Sequence, residues 1–408
     1  MYFSAKITET VSWIGINDRK SDSFENYIPL PKGVSYNSYF INDEKTCIID
    51  AVEFGSEGNY FKKIRQNLNG RPLDYVVINH MEPDHGGALS DLITIYPEVT
   101  IIGNKKTLTM IKAFNHNFDE SRFQEVVEGE ILDLGYHKLT FAFMAMVHWP
   151  ESMATYDITE KILFSNDAFG SFKSLDGGLF DDEVDIASFE NEMRRYYSNI
   201  VGKYGVQVVN VIKKISTLDI QFICPSHGIL WRTDIKKVIN FFNNWGQFIP
   251  DEPGVVIVYG SMYGNTAKMA EALGTDLATY GVKNIKIFDA SKTDSSFIIS
   301  DIWKYQGLFI GSCSHNNALY PKIEPIIFKL QNYGLKNRYL GIFGNKLWSG
   351  GGVRGIQNFA DASKGIEVIG TPVEAIGDPT FENYKELEEL ARLMAEKILN
   401  KKIEKLES

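Results

Sequence analysis

The sequence predicts a two-domain α/β and α+β chain, mixed in its first half and built on a doubly wound parallel sheet in its second. Three observations carry this reading: the length, a break in pattern before residue 254, and the regular strand–helix alternation after it. At 408 residues the chain exceeds what a single hydrophobic core comfortably organises. Apolar residues make up 44% and charged residues 23%, the proportions of an ordinary packed protein, so disorder is excluded. The stretch WGQFIPDEPG, Trp245 to Gly254, sets two prolines and two acids between two hydrophobic patterns. The expected domains therefore run over residues 1–250 and 254–408.

In the first half, short apolar runs (TCIID, YVVIN, TIIG, LTFAFMAM, ILFSND) alternate with a few helical stretches, the clearest being IASFENEMRRYYSNIV. In the second half, VVIVYG, NIKIFD, GLFIGS, RYLGIFG and EVIGTPV read as strands, each followed by a helical pattern such as TAKMAEALGTDLATYG. Five strands in that rhythm imply parallel pairing with helices on both faces.

Composition excludes several functions. The formal charge is −10 and no long Lys/Arg cluster occurs, which argues against nucleic acid and anionic membrane as partners, since both are held through basic patches. The longest apolar run, Leu139 to Val147, is too short to cross a bilayer. The opening MYFSAKITETVSWIG has no basic region followed by an apolar core, so a secretory signal is not expected. Cys47, Cys224 and Cys313 are widely spaced with no CxxC pair, which fits a reducing compartment and disfavours a thiolate-held cluster. A soluble cytoplasmic protein is the expectation.

The densest chemistry lies in INHMEPDHGG, Ile78 to Gly87. His80, Glu82, Asp84 and His85 follow an apolar strand; Pro83 argues for a loop rather than a helix, and Gly86 and Gly87 for a turn. On an extended backbone positions 80, 82 and 84 share one side while 85 points elsewhere, so one loop could serve two metal ions. His148, Asp167 and His227 each follow a later apolar run. Singly, either histidine reads as a hydrogen-bonded structural residue and Asp167 as a turn or cap. Together with the loop they make four imidazoles and three carboxylates, enough for a dinuclear site. Such a set without thiolate fits iron, manganese or zinc, and the three carboxylates favour a harder, redox-capable ion, with iron the choice.

HMEPDH resembles the metal signature of the metallo-β-lactamase fold, with Glu82 where zinc hydrolases carry a second histidine. With VHWPESM, SNDAFG, CPSHG and the second half, the resemblance narrows to the flavodiiron proteins and covers essentially the whole chain. It implies an N-terminal metallo-β-lactamase-like αββα sandwich and a C-terminal flavodoxin-like domain. It gives His80, Glu82 and His148 to one iron, Asp84, His85 and His227 to the other, and Asp167 to both. Trp149 and Tyr197 are expected to surround them and to tune substrate preference.

The second half then holds a flavin. GSMYGNT, Gly260 to Thr266, joins a strand to a helix, so backbone N–H groups, Ser261, Asn265, Thr266 and the helix dipole can meet one phosphate. It is neither G-x-G-x-x-G nor a Walker loop, which disfavours a dinucleotide or a triphosphate. Resemblance to flavodoxins implies FMN, with Tyr263 in place of their usual threonine. The candidate contacts are Ser261, Met262, Tyr263, Gly264, Asn265 and Thr266, then Ser312, Cys313, Ser314 and Asn316, then Gly344, Asn345, Trp348, Ser349, Gly350 and Gly351. The last two groups follow the third and fourth strands, where doubly wound sheets bind ligands, and Trp348 is placed to stack on the ring. Neither Cys313 nor His315 reads as catalytic.

The resemblance implies an oxidoreductase that reduces O2 to water, NO to N2O, or both. It implies electrons from a rubredoxin or reduced deazaflavin F420, and a head-to-tail homodimer, possibly a tetramer, in which the FMN of one copy serves the irons of the other. Two other classes stay open: a metal-dependent hydrolase fused to a flavodoxin-like module, which would carry zinc, and an electron carrier with a vestigial metal domain.

Overall fold

The computed structural model describes residues 4–55 and 57–404. The chain forms two compact units, 1–243 and 244–408.

The N-terminal unit is built on two sheets. The first has seven strands in the order Ala5–Lys6, Val11–Trp13, Tyr39–Ile41, Cys47–Ile49, Tyr75–Val77, Thr100–Gly103 and Phe123–Glu125. Its first four strands are antiparallel and the rest parallel. The second has five, Ile131–Asp133, Lys138–Phe143, Met153–Asp157, Ile162–Asn166 and Phe222–Pro225. The sheets meet through contacts such as Tyr39 on Phe164, 5.1 Å between ring centroids, and through Met153 N–H to Asn79 O. Strands buried on both faces read as continuous apolar runs, as YVV, CII and ILF do.

Strand direction decides where the polar residues gather. Lys138–Phe143 and Ile162–Asn166 are both antiparallel to Met153–Asp157, so they run the same way, and Phe222–Pro225 is parallel to Ile162–Asn166. Residues following these three strands, His148, Asp167 and His227, therefore emerge at one end of the sheet. In the other sheet Cys47–Ile49 and Tyr75–Val77 are also parallel, which brings Asp50 beside the loop that starts at His80.

The C-terminal unit carries a parallel sheet ordered Ile285–Asp289, Glu252–Gly260, Tyr305–Cys313, Arg338–Lys346, with Ile366–Val368 and Val373–Ile376 both pairing on the last of these. Five helices surround it, Asn265–Thr279, Ser295–Lys304, Glu324–Tyr333, Gly352–Ala362 and Phe381–Leu399. One face of the core packs Val255, Ile257, Phe309 and Phe343 against Leu273, Leu277, Leu390 and Met394. The fifth strand of the sequence reading, EVIGTPV, is two short strands, because the segment between them turns at Gly370 with φ +63°. Chain order reverses between Glu252–Gly260 and Tyr305–Cys313, the position where such sheets open a ligand crevice.

Candidate metal centre and flavin loops

The loop after Tyr75–Val77 departs from its expected form. Pro83–Gly86 is one helical turn; Pro83 starts it, where a missing N–H costs nothing. Gly86 closes that helical turn, and Gly87 follows it as a turn residue with right-handed helical angles, its N–H bonded to Pro83 O. A Cβ there would lie 2.5 Å from both Phe54 N and Pro83 O, so the glycine serves a close approach of two chain segments. The helical turn also changes the partition of side chains: Asp84 and His85 go together, with His85 Nε2 3.4 Å from Asp84 Oδ1.

The seven candidate ligands fall into two groups. Ligand atoms of His80, Glu82, His148 and Asp167 lie within 4.8 Å of one another, as do those of Asp84, His85 and His227. Asp167 touches both. Its Oδ2 lies 3.5 Å from His80 Nε2 and 3.3 Å from His148 Nε2, and its Oδ1 lies 3.0 Å from His85 Nε2 and 3.3 Å from His227 Nε2. All seven side chains are buried, Asp167 completely.

These approaches have ion-pair distances without hydrogen-bond geometry. Both oxygens of Asp84 and Asp167, both nitrogens of His85 and the Nε2 of His227 are buried with no hydrogen-bond partner. Such orphans are expensive unless something else satisfies them. Among the described residues, the ion-pair partners of Glu82, Asp84 and Asp167 are all histidines. Three buried carboxylates without Lys or Arg call for a cation. Proton affinities give the same account. Burial opposes charge on His148 and His227, yet Asp167 with Glu82 pushes His148 up to about 9, and Asp167 with Asp84 pushes His227 up to about 10. For Asp167 burial is likewise outweighed, by the charge of His85 and the close approach of His148 and His227, and its carboxyl is held well below the usual range. The imidazoles collect protons where metal ions would otherwise supply the positive charge. The donor set fits a pair of ions.

Around the ligands stand residues that sequence reasoning passed over. Asp50 accepts from Asn79 N and Nδ2 at 2.7 and 3.0 Å and fixes the start of the metal loop; burial pushes it up to about 6 despite those donors. It ends the run TCIID as Asp167 follows ILFSN, so the same sign was present. Glu151 meets His80 Nδ1 at 2.6 Å. Trp149, as expected, lies edge-on to His80 at 5.1 Å and near His148 at 6.2 Å. The ring of Tyr197 packs on Phe242 at 5.0 Å. Its neighbour Tyr196 faces the site, 5.4 Å from the His227 ring, with burial, then the charges of Asp167 and Asp84, raising its hydroxyl far above the usual range. A π-helical turn, Tyr197–Val201, begins directly after it; such turns recur at functional sites. Phe24, on the hairpin Ser23–Phe24 and Ile28–Pro29, and Tyr36 close the wall around His227 at 5.6 and 5.7 Å. An open cleft of about 680 Å³, lined by Phe24, Glu25, Tyr36, Glu53, Glu82 and Asp84, leads to the ligands.

A third grouping, His137, Asp157 and Glu160, has a different character. His137 Nδ1 lies 2.7 Å from Asp157 and its Nε2 lies 3.0 Å from Thr10 Oγ1, which bonds Glu160 at 3.1 Å. Both nitrogens are satisfied by protein, and the cluster is a hydrogen-bonded staple between the two sheets.

In the C-terminal unit the loop from Ser261 to Gly264 enters the helix Asn265–Thr279 with Gly264 at φ +94°, a conformation that favours glycine. No side chain caps that helix, so its first N–H groups remain available to an anion. Ser261 Oγ accepts from Gly264 N at 3.1 Å, and Thr266 Oγ1 is buried with no partner. These features fit one phosphate. Met262 is exposed and Tyr263 is 91% exposed. Ser312 serves its own loop instead, accepting from Tyr320 N and donating to Cys313 O. Ser314 Oγ accepts from Gly351 N and Gly352 N at 2.8 and 3.2 Å, joining the second and third loops. Asn345 donates to Gly377 O, Asn316 has φ +48°, Cys313 is buried, and Gly344 lies within the strand Arg338–Lys346, where a Cβ would meet Ser312 O and Val353. Trp348 is 80% exposed, an indole face free to meet a flat ring.

Fold and site together define a two-domain flavoprotein oxidoreductase with a non-haem metal pair. Comparison with known proteins carries this further. Residues 34–228 match the ODP family beta lactamase and residues 257–397 match flavodoxin. An anaerobic nitric oxide reductase flavorubredoxin of Escherichia coli is 33% identical over 356 residues, covering 86% of this chain and 74% of that protein. The structure of rubredoxin oxygen:oxidoreductase from the anaerobe Desulfovibrio gigas superposes with a TM-score of 0.92 at 30% identity, over 98% of this chain and 99% of that one. The flavodiiron protein from Giardia intestinalis superposes with a TM-score of 0.90 at 26% identity, over 98% of each chain. The chain belongs to the flavodiiron proteins, oxidoreductases with a diiron centre and FMN. No helix among the described residues is long and apolar enough to cross a membrane.

Proposed function

We propose that this chain reduces O2, NO or both at a diiron centre, with electrons from an external donor passing through FMN. In this reading His80, Glu82 and His148 would hold one iron, Asp84, His85 and His227 would hold the other, and Asp167 would serve both. The observation that carries it is the completely buried Asp167, which turns one carboxylate oxygen to each trio.

When bound, two irons and FMN together supply up to four electrons, enough to take O2 to two waters or to couple two NO molecules into N2O and water. The chain's own residues do the rest. Asp167 fixes the separation of the two metal positions. The cleft admits a diatomic molecule past Glu82 and Asp84, and the rings of Phe24, Tyr36 and Tyr196 keep bulk water from His227. Tyr196 faces the site with a buried hydroxyl that has no hydrogen-bond partner in the chain, and that hydroxyl can donate to the substrate. Thr266 and the uncapped helix would hold the FMN phosphate, and the exposed Trp348 would meet its ring.

The donor is a rubredoxin or reduced deazaflavin F420. Support for the former comes from the relatives, one named a flavorubredoxin and one a rubredoxin oxygen:oxidoreductase. The working form is a head-to-tail homodimer or a tetramer of such pairs, in the cytoplasm. The test is to measure iron and FMN per chain, then to mix reduced protein with O2 or NO in a stopped-flow instrument. Iron near two per chain and diiron oxidation distinct from that of the flavin are expected. Zinc without iron, and no oxidation beyond the flavin's, would instead support a hydrolase.

A further inference from the structure

Glu151 stands behind the metal site on the loop that carries His148. It is buried, and its Oε1 lies 2.6 Å from His80 Nδ1 and 3.0 Å from Met81 N. Its placement is not left to the loop alone. Asn104 accepts from Lys106 N and Thr107 N, capping the helix Lys105–Phe114, and donates from Nδ2 to Glu151 O at 2.6 Å. The nearby Lys106 ammonium is occupied elsewhere, on Pro150 O at 3.1 Å. Among side chains, Glu151 thus meets one partner, the His80 imidazole, whose Nε2 faces Glu82 and Asp167 at 3.2 and 3.5 Å.

The other trio has no counterpart. His227 Nδ1 meets a neutral acceptor, Ser35 O at 2.9 Å, and His85 Nδ1 has no hydrogen-bond partner. Among the described residues only His80 has a carboxylate on the nitrogen turned away from the metal. An anionic acceptor fixes the tautomer of a ligating imidazole and raises its basicity, and a more basic ligand favours the higher-charged metal ion.

We propose that Glu151 is a positioning residue that holds the proton of His80 on Nδ1, presents Nε2 to the metal, and makes the two iron positions electronically unequal. The His80, Glu82 and His148 position then favours the ferric state relative to the Asp84, His85 and His227 position. This deepens the diiron reading of the site and rests on it.

Glu151→Gln tests the proposal, because it keeps the length and an acceptor oxygen while removing the charge. The readouts are iron per chain after dialysis against a chelator and the iron potentials from a redox titration followed by EPR, with FMN content and circular dichroism reporting the fold. Loss of such an outer partner typically weakens a site about 10- to 100-fold. If that loss falls on the ferric form, one iron potential rises by about 60–120 mV, at about 59 mV per tenfold. Unchanged potentials in a Glu151→Gln protein that retains two irons overturn the proposal. Should that variant not fold, Glu151→Asp carries the test: its shorter side chain withdraws the carboxylate from Nδ1, and a potential equal to that of the unmutated protein is again a refutation. Failure of the underlying reading looks different, since the unmutated chain itself would then not bind a pair of irons.

Discussion

Replacing Asp167 by alanine is the most direct perturbation of the site. The substitution removes the one side chain that reaches both trios, leaving three donors on each side, and lowers the carboxylate charge facing two ferrous ions from three to two. Taking only the attraction of a unit pair about 4 Å apart at an effective dielectric near 20, each iron loses about 4 kcal/mol. At about 1.4 kcal/mol per tenfold, that is roughly a thousandfold weaker binding at each position. The assay is iron per chain after dialysis against a graded series of chelator concentrations, with FMN, held in the other unit, as internal control. Asp167→Ala is expected to lose both irons together while keeping FMN. Retention of two irons with the chelator resistance of the unmutated protein would refute the reasoning, because no shared carboxylate would then be needed.

Three further outcomes are expected. Tyr196→Phe should fold and keep its iron but turn over O2 or NO about 10- to 100-fold more slowly, the worth of one hydrogen bond to a charged group; unchanged steady-state rates with both gases count against a role for the hydroxyl. Thr266→Val should weaken FMN binding by a similar factor of about 10 to 100 without touching iron content, as followed by flavin fluorescence; equal affinity means that the phosphate lies elsewhere. Burial opposes charge on His137, but Asp157, Glu160 and Asp43 outweigh it and raise it above its ordinary 6.5. Its folded value thus exceeds its unfolded one, so its contribution is complete below about pH 6.5 and fades as pH rises through the folded value. Urea midpoints of the unmutated and His137→Asn proteins should therefore differ most below about pH 6.5 and draw closer as pH rises through the raised folded value; a gap that widens with pH contradicts the staple.

The parallel sheet of the second half was legible because its strands, such as Tyr305–Cys313 and Arg338–Lys346, are nine residues each and alternate with helices of ten or more. The first half was harder. Ser23–Phe24 and Ile28–Pro29 are two residues each, too short for any periodicity, so the hairpin that places Phe24 against His227 gave no sign of itself. The gathering of the seven candidate ligands was legible for a different reason: polar side chains are rare at the ends of buried strands unless something there requires them. The same rule would have picked out Asp50, which was passed over for want of a neighbouring cluster. Tyr196 and Tyr197 could not be separated by pattern, because adjacent helical residues differ by about 100° and the helix changes to a π turn at that point. Pro83 breaks a helix only in its interior, and here it is the first residue of a helical turn.

The two units use strand ends in opposite electrostatic senses. In the N-terminal unit the polar positions after the strands are side chains, and Asp50, Asp167 and the acids of the loop from His80 to His85 make that end negative. Such an end holds cations, and imidazoles complete the coordination that the carboxylates begin. In the C-terminal unit the strand Glu252–Gly260 passes through a short loop straight into a helix. Its end therefore presents backbone N–H groups and the positive pole of the helix, which hold an anion such as a phosphate. Parallel strand direction alone thus fixes where each site lies, and the connection that follows each strand fixes the sign of what binds. A loop long enough to carry carboxylates gives a metal centre; a loop of four residues ending in an uncapped helix gives a nucleotide cradle. That division is why one chain can hold an electron-storing flavin and a metal pair with so few shared residue types between them.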